Sequence, residues 1–206
     1  MALPFVHQFV PGQSNLLLVL FHGTGGNEND LVPLGRALAP GAALLSPRGK
    51  VLENGMPRYF RRIAEGVFDE KDLRERAAEM SAFLGEARKE YKLESAKTIL
   101  CGYSNGANIA ASLFLLHPDE LAGGILFRPM LPLHVDHPSE LPGIPLYMAS
   151  GRNDPLVPVE SVLALEKCFR ESGAEVTLHW SDEGHRPASH EFSEARNWLT
   201  QHFPAT

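Results

Sequence analysis

The tightest constraint in this chain is a strand that runs into a helix with no room for a loop between them. Thr98 to Cys101 is a short apolar and β-branched run, and from Asn105 onward larger apolar residues recur at Ile109, Leu113 and Leu116, the spacing of one helix face. Between them stands Gly102-Tyr103-Ser104-Asn105-Gly106, a G-x-S-x-G pentapeptide. A turn this sharp holds its central residue in a strained backbone conformation and crowds the positions two before and two after it, where a Cβ would clash. Both positions are glycine. The Ser104 hydroxyl is therefore expected at the carboxyl edge of a sheet, with the first amides of the next helix turned toward the same point. The pentapeptide alone arises often by chance; the strand before it and the small-residue helix after it supply the context its chemistry needs.

Composition narrows what surrounds this turn. At 206 residues, with 44% hydrophobic residues, the chain fits one domain, residues 1–206, with a substantial core. A formal charge of −6 without a block of like charges argues against a nucleic-acid surface and for a small-molecule partner. The two cysteines, Cys101 within a strand and Cys168 on an apolar helix face, read as small buried hydrophobes rather than a disulfide framework. The first residues lack a basic start followed by an apolar core, and no apolar run approaches spanning length, so a soluble cytoplasmic protein is the default expectation. The sequence does not fix the oligomeric state; a homodimer stays open.

Taken in order, Val6 to Val10 suggests an edge strand and Leu16 to Phe21 a strand buried on both faces. His22-Gly23-Thr24-Gly25-Gly26 follows, opening a helix with Leu31, Leu34 and Leu38. A dinucleotide fingerprint would need glycine at position 28, which is Glu. The glycines instead let backbone amides, Thr24 in particular, approach a developing oxyanion, with His22 a structural hydrogen-bonder. After a strand at Ala42 to Leu45, residues 46–68 show neither helical nor alternating pattern and are expected to form a long loop. Val51 to Phe60 mixes apolar, aromatic and basic side chains, as an ordered pocket wall would; Arg48, Met56, Arg58 and Phe60 are its candidate substrate-binding residues. Arg48 and Arg58 are suited either to steering a substrate carboxylate or to pairing with Glu53. Asp69 caps an amphipathic helix with Leu73, Ala77, Met80, Leu84, Ala87 and Tyr91 on one face. Beyond the serine turn come strands at Gly123 to Phe127, Ile144 to Ala149 and Val176 to Trp180, a helix between Pro158 and Gly173, and a closing helix with Phe192, Ala195 and Leu199. His134, Asp136 and His137 lie in a proline-rich loop without metal-site spacing, so no metal is expected. Alternating strands and helices imply a mostly parallel sheet with helices on both faces and its chemistry at the carboxyl ends of the strands.

Three of those ends carry the groups of a hydrolytic triad: Ser104, then Asp154, then His185. This order of nucleophile, acid and base is that of the α/β-hydrolases. A serine hydroxyl needs a base to take its proton, and the imidazole needs a carboxylate to fix its tautomer and stabilise its cation. Asp182 and Glu183 share His185's own loop and are poorly placed to orient the ring; His190 is the alternative base. The backbone amides of Thr24 and Asn105, one from each glycine-rich exit, are the expected oxyanion donors, so side-chain substitution there should be milder than at Ser104.

Residues 21–28 (FHGTGGNE), 53–58 (ENGMPR), 102–108 (GYSNGAN) and Gly184-His185 together resemble the phospholipase/carboxylesterase branch of the α/β-hydrolases, especially small bacterial carboxylesterases of the hydroquinone-resistance type. The resemblance runs from about Leu17 to the last helix. It implies an α/β-hydrolase fold without a large cap domain and hydrolysis of small or short-acyl carboxylic esters through an acyl-enzyme, without metal or organic cofactor. Acyl-protein thioesterases and lysophospholipases belong to the same branch, so longer acyl chains are the alternative; a catalytically silent binding module is a third. A dienelactone hydrolase would be expected to carry Cys at position 104. Many branch members have Gln after the nucleophile where this chain has Asn105, which keeps the amide role intact but does not let their substrates be carried over to this chain.

Overall fold

The structure is a computed structural model that describes residues 3–204. Its centre is a seven-stranded sheet. The strands are β1 (His7–Val10), β2 (Leu16–Phe21) and β3 (Ala43–Pro47), then, beyond two small hairpins, β8 (Lys97–Tyr103), β9 (Leu121–Phe127), β10 (Pro145–Gly151) and β11 (Glu175–Ser181). In space they run β1-β3-β2-β8-β9-β10-β11. The expected edge strand is β1, the only antiparallel member, paired with β3 from His7↔Pro47 to Val10↔Leu44. That pairing carries β3 to Pro47, past the Leu45 end expected from the apolar run. Every other neighbour is parallel, so β2, β8, β10 and β11 all empty at one edge.

Helices cover both faces, and the alternation along β2 explains how. Leu17, Val19 and Phe21 join a core with Leu73, Ala77 and Met80 of α2 (Glu70–Glu90) and Ile109 and Leu113 of α3 (Asn105–Leu116). Leu16, Leu18 and Leu20 point the other way, into a core with Leu38 of α1 (Val32–Leu38) and Trp198 and Leu199 of α5 (Ser189–His202). Helix α4 (Val159–Glu171) adds Val162, Leu165 and Phe169 to the first core. Asp69 caps α2 as its sequence position suggests, accepting the Asp72 N–H at 3.1 Å. Cys101 is buried and Cys168 only half-buried; both are free thiols.

Residues 46–68 are a correction. In place of a long irregular loop they hold two antiparallel hairpins, β4 (Val51–Glu53) with β5 (Met56–Arg58), and β6 (Arg62–Ala64) with β7 (Val67–Phe68). The first is closed by Asn54 and Gly55, both at positive φ (51° and 81°), a two-residue turn whose twist matches that of the strands it joins. These strands are too short to show alternation. Among the described residues no helix is long and apolar enough to cross a membrane.

Candidate active site

Ser104 sits where β8 becomes α3, with φ 53° and ψ −116°, a conformation disfavoured for any side-chain-bearing residue. The flanking glycines make it attainable. A Cβ on Gly102 would lie 2.4 Å from Gly106 O, and one on Gly106 would lie 2.0 Å from Phe21 O. The serine therefore stands clear of the sheet edge while its neighbours pack backbone against backbone.

Two other strand exits meet it. The loop after β11 brings His185 Nε2 to 2.9 Å from Ser104 Oγ. The loop after β10 brings Asp154 Oδ2 to 2.8 Å from His185 Nδ1. The Asp154 side chain is fully buried, and its other oxygen accepts the N–H groups of Leu156 (2.8 Å) and Val157 (3.2 Å). A carboxylate fixed by three donors can hold Nδ1–H and leave Nε2 as the acceptor facing the serine hydroxyl. Asp182 and Glu183 are exposed and His185 Nδ1 is bonded to Asp154 instead, while His190 is exposed on α5 with its ring 6.4 Å from that of His179 and the Ser104 hydroxyl is bonded to His185.

His185 is placed by a buried ion pair without an obvious sequence signature. Arg128 and Glu191 are both fully buried and joined by two hydrogen bonds, Nη1–Oε1 at 2.7 Å and Nη2–Oε2 at 2.9 Å. Arg128 Nε donates to Gly184 O at 2.8 Å, and Glu191 also accepts the Ala188 N–H at 2.8 Å. The carbonyl before His185 and the amide that opens α5 are thus pinned to one salt bridge. Burial pushes the Glu191 carboxyl up, but the Arg128 and Ala188 hydrogen bonds and the Arg128 charge outweigh it and hold the group below the ordinary carboxylate range.

Thr24 and Asn105 border the same space. The Asn105 backbone opens α3, where the first amides have no intrahelical acceptor. The Asn105 side chain is buried and accepts the Tyr59 N–H at 2.8 Å. His22 is a structural hydrogen-bonder: Nδ1–H donates to Gly23 O (2.6 Å) and Nε2 accepts the Gly49 N–H (3.0 Å). Burial depresses its basicity, in keeping with a neutral ring.

A cavity of about 360 Å³ opens over Ser104, His185, Thr24 and Asn105. Of the four candidate substrate-binding residues only Arg58 lines it, and the other three expectations are corrected. Arg48 turns outward to Glu28, with Nε–Oε2 at 2.5 Å and Nη2–Oε1 at 2.6 Å, and not to Glu53. Met56 is exposed at the start of β5. Phe60 is fully buried, edge-on to Phe68 at 5.1 Å, because a side chain this apolar completes the core beneath the hairpins. The walls include Arg62, Phe68, Tyr103, Asn108, Met130 and Val157, which sequence reasoning did not single out. Tyr103, inside the serine pentapeptide, and Asn108, just beyond it, carry a positional hint. His134 and Asp136 form an exposed pair at 3.1 Å, and among the described residues no cluster of His, Cys, Asp and Glu has metal-site geometry.

Known proteins align with this chain over nearly its whole length. The phospholipase/carboxylesterase family profile matches residues 11–203. MhqD of Bacillus subtilis strain 168, assigned to the hydrolases, is 46% identical over 195 residues, 95% of this chain and 98% of its own. The Bacillus cereus carboxylesterase crystal structure superposes with a TM-score of 0.94 at 43% identity, over 97% of this chain and 95% of that one. A structure of YahD with malic acid superposes with a TM-score of 0.90 at 29% identity, over 96% of this chain and 98% of that one.

Proposed function

The chain belongs to the phospholipase/carboxylesterase family, an ester-hydrolysing family with an α/β-hydrolase fold, and from that premise we propose that it is a serine carboxylesterase acting on small or short-acyl esters. The observation that carries the proposal is the continuous relay from Asp154 through His185 to Ser104, with bonds of 2.8 and 2.9 Å.

In this mechanism Ser104 Oγ attacks the ester carbonyl carbon while His185 Nε2 takes the hydroxyl proton. Asp154 holds the imidazolium that results. The carbonyl oxygen becomes an oxyanion held by the Thr24 and Asn105 amides; each such donor is typically worth about 3 to 4 kcal/mol of transition-state stabilisation. The tetrahedral intermediate collapses, the alcohol leaves with the proton from His185, and the acyl group stays on Ser104. Water then repeats the sequence, losing a proton to His185, and releases the carboxylic acid. No step calls for a metal or organic cofactor.

The modest volume of the cavity favours small esters. The malic acid named for the YahD structure is likewise a small polar molecule. A second reading, a thioesterase or lysophospholipase for longer acyl chains, has one observation in its favour: an apolar groove lined by Leu31, Leu34, Phe127, Pro187 and Phe192 lies on the other side of Tyr103. Turnover of 4-nitrophenyl esters from acetyl to palmitoyl separates the two. The proposal expects kcat/KM to peak at short chains; a peak at ten carbons or beyond would favour the second reading.

A further inference from the structure

Arg58 is 3% exposed, yet it lines the cavity above Ser104. Its hydrogen bonds go to neutral oxygens, from Nη1 to Thr24 Oγ1 at 2.7 Å and from Nε to Phe60 O at 3.3 Å. Its one carboxylate neighbour is Glu53, whose Oε2 lies 3.3 Å from Nη1 but accepts no hydrogen bond there. The other Glu53 oxygen is taken by Arg62 Nε at 2.8 Å. Two guanidinium groups that both line the cavity therefore share one carboxylate, which leaves an excess positive charge beside the nucleophile. Burial, and then the charge of Arg62, weaken the hold of Arg58 on its proton by more than Glu53 restores, the direction expected for a cation short of an anion.

The other charges in the cavity do not remove this excess. Arg128 also lines it, but its charge is matched by Glu191. Glu65, the one carboxylate among the lining residues, is exposed at the β6–β7 turn, where water screens it. Arg58 Nη2 donates to no protein group among the described residues. A guanidinium edge of this kind matches the two oxygens of a carboxylate.

We propose that Arg58, supported by Arg62, forms an anion subsite of the catalytic cavity, and that the preferred esters carry a carboxylate in their acyl or alcohol half. The inference rests on the esterase reading and narrows its substrate class. Arg58 also holds Thr24, so Arg58→Gln lowers turnover generally, and the informative quantity is the ratio of kcat/KM for an acidic ester to that for its neutral isostere. Two pairs locate the carboxylate: 4-nitrophenyl hydrogen glutarate against 4-nitrophenyl pentanoate for the acyl half, and 3-carboxyphenyl butyrate against 3-carbamoylphenyl butyrate for the alcohol half. In one pair the wild type should favour the acidic ester about tenfold, a preference lost in Arg58→Gln and reduced about threefold in Arg62→Gln, as expected for one charge-assisted contact and a screened neighbour. No acidic preference in either pair, or a preference untouched by both substitutions, would overturn the subsite while leaving the esterase reading intact. If no ester is turned over, the esterase reading fails and NMR titration decides the subsite. Glutarate shifts that glutaramide does not reproduce, and that vanish in Arg58→Gln, would support it; equal or absent binding of the two would overturn it.

Discussion

The backbone N–H of Tyr59 donates to Asn105 Oδ1 at 2.8 Å, joining the first hairpin's exit to the residue after the nucleophile. One residue earlier Arg58 reaches Thr24, and Pro57 O accepts the Gly25 N–H at 2.9 Å. The Tyr59 hydroxyl accepts the His22 N–H at 3.1 Å and donates to Pro47 O at 2.8 Å. A single short segment thus braces both residues whose amides are proposed to hold the oxyanion, and it does so through side chains as well as backbone.

Asn105→Ala removes the acceptor of a buried N–H, at a cost of about 1 to 3 kcal/mol. Urea denaturation should show that loss, and kcat should fall while KM changes little, because only the placement of the amide suffers. The loss of activity should remain smaller than in Ser104→Ala. Unchanged stability would mean that the Tyr59 link contributes nothing.

The Arg128–Glu191 pair predicts an acid-sensitive fold. A carboxylate held below its unfolded range stabilises the native state at neutral pH, and that contribution is lost as pH falls through the folded value. Glu191→Gln leaves a buried guanidinium unpaired and should cost about 3 to 5 kcal/mol at neutral pH. Its stability should then decline less than that of the wild type on acidification through the carboxylate range. Parallel curves of stability against pH would contradict this account.

Gly106 and Gly85 should respond in opposite directions to the same change. Gly106→Ala drives a Cβ into Phe21 O and should destabilise by roughly 3 kcal/mol or more, with loss of activity. Gly85, within α2, has nothing within 4 Å of the added carbon, so Gly85→Ala should stabilise by about 0.5 to 1 kcal/mol. Thermal unfolding of the two variants checks both directions; a stable, active Gly106→Ala would undermine the tight-turn explanation.

What could be read from the sequence was what short-range chemistry encodes. The serine turn declared itself because a missing Cβ is required on both sides of Ser104, and Asp154 and His185 stood out because each follows an apolar strand. The hairpins within 46–68 escape periodicity because strands of two or three residues are too short for alternation to register, whereas Asn54-Gly55 is a local hairpin signal. Proximity in sequence does not sort Arg48, Met56, Arg58 and Phe60: Arg48 and Phe60 lie outside the first hairpin, one paired with Glu28 and the other in the core, Met56 is exposed beside its turn, and of the four only Arg58 lines the cavity. The Arg128–Glu191 pair joins the exit of β9 to the first turn of α5, and no local pattern announces a partner 63 positions away.

Ser104 as the attacking atom is tested most directly by treating the protein with a fluorophosphonate and mapping the adduct by peptide mass spectrometry, with folded Ser104→Ala beside it. The account predicts one phosphonyl group on Ser104 in the wild type and none in the variant. A folded wild type that stays unlabelled, or a variant labelled to the same extent, would contradict it.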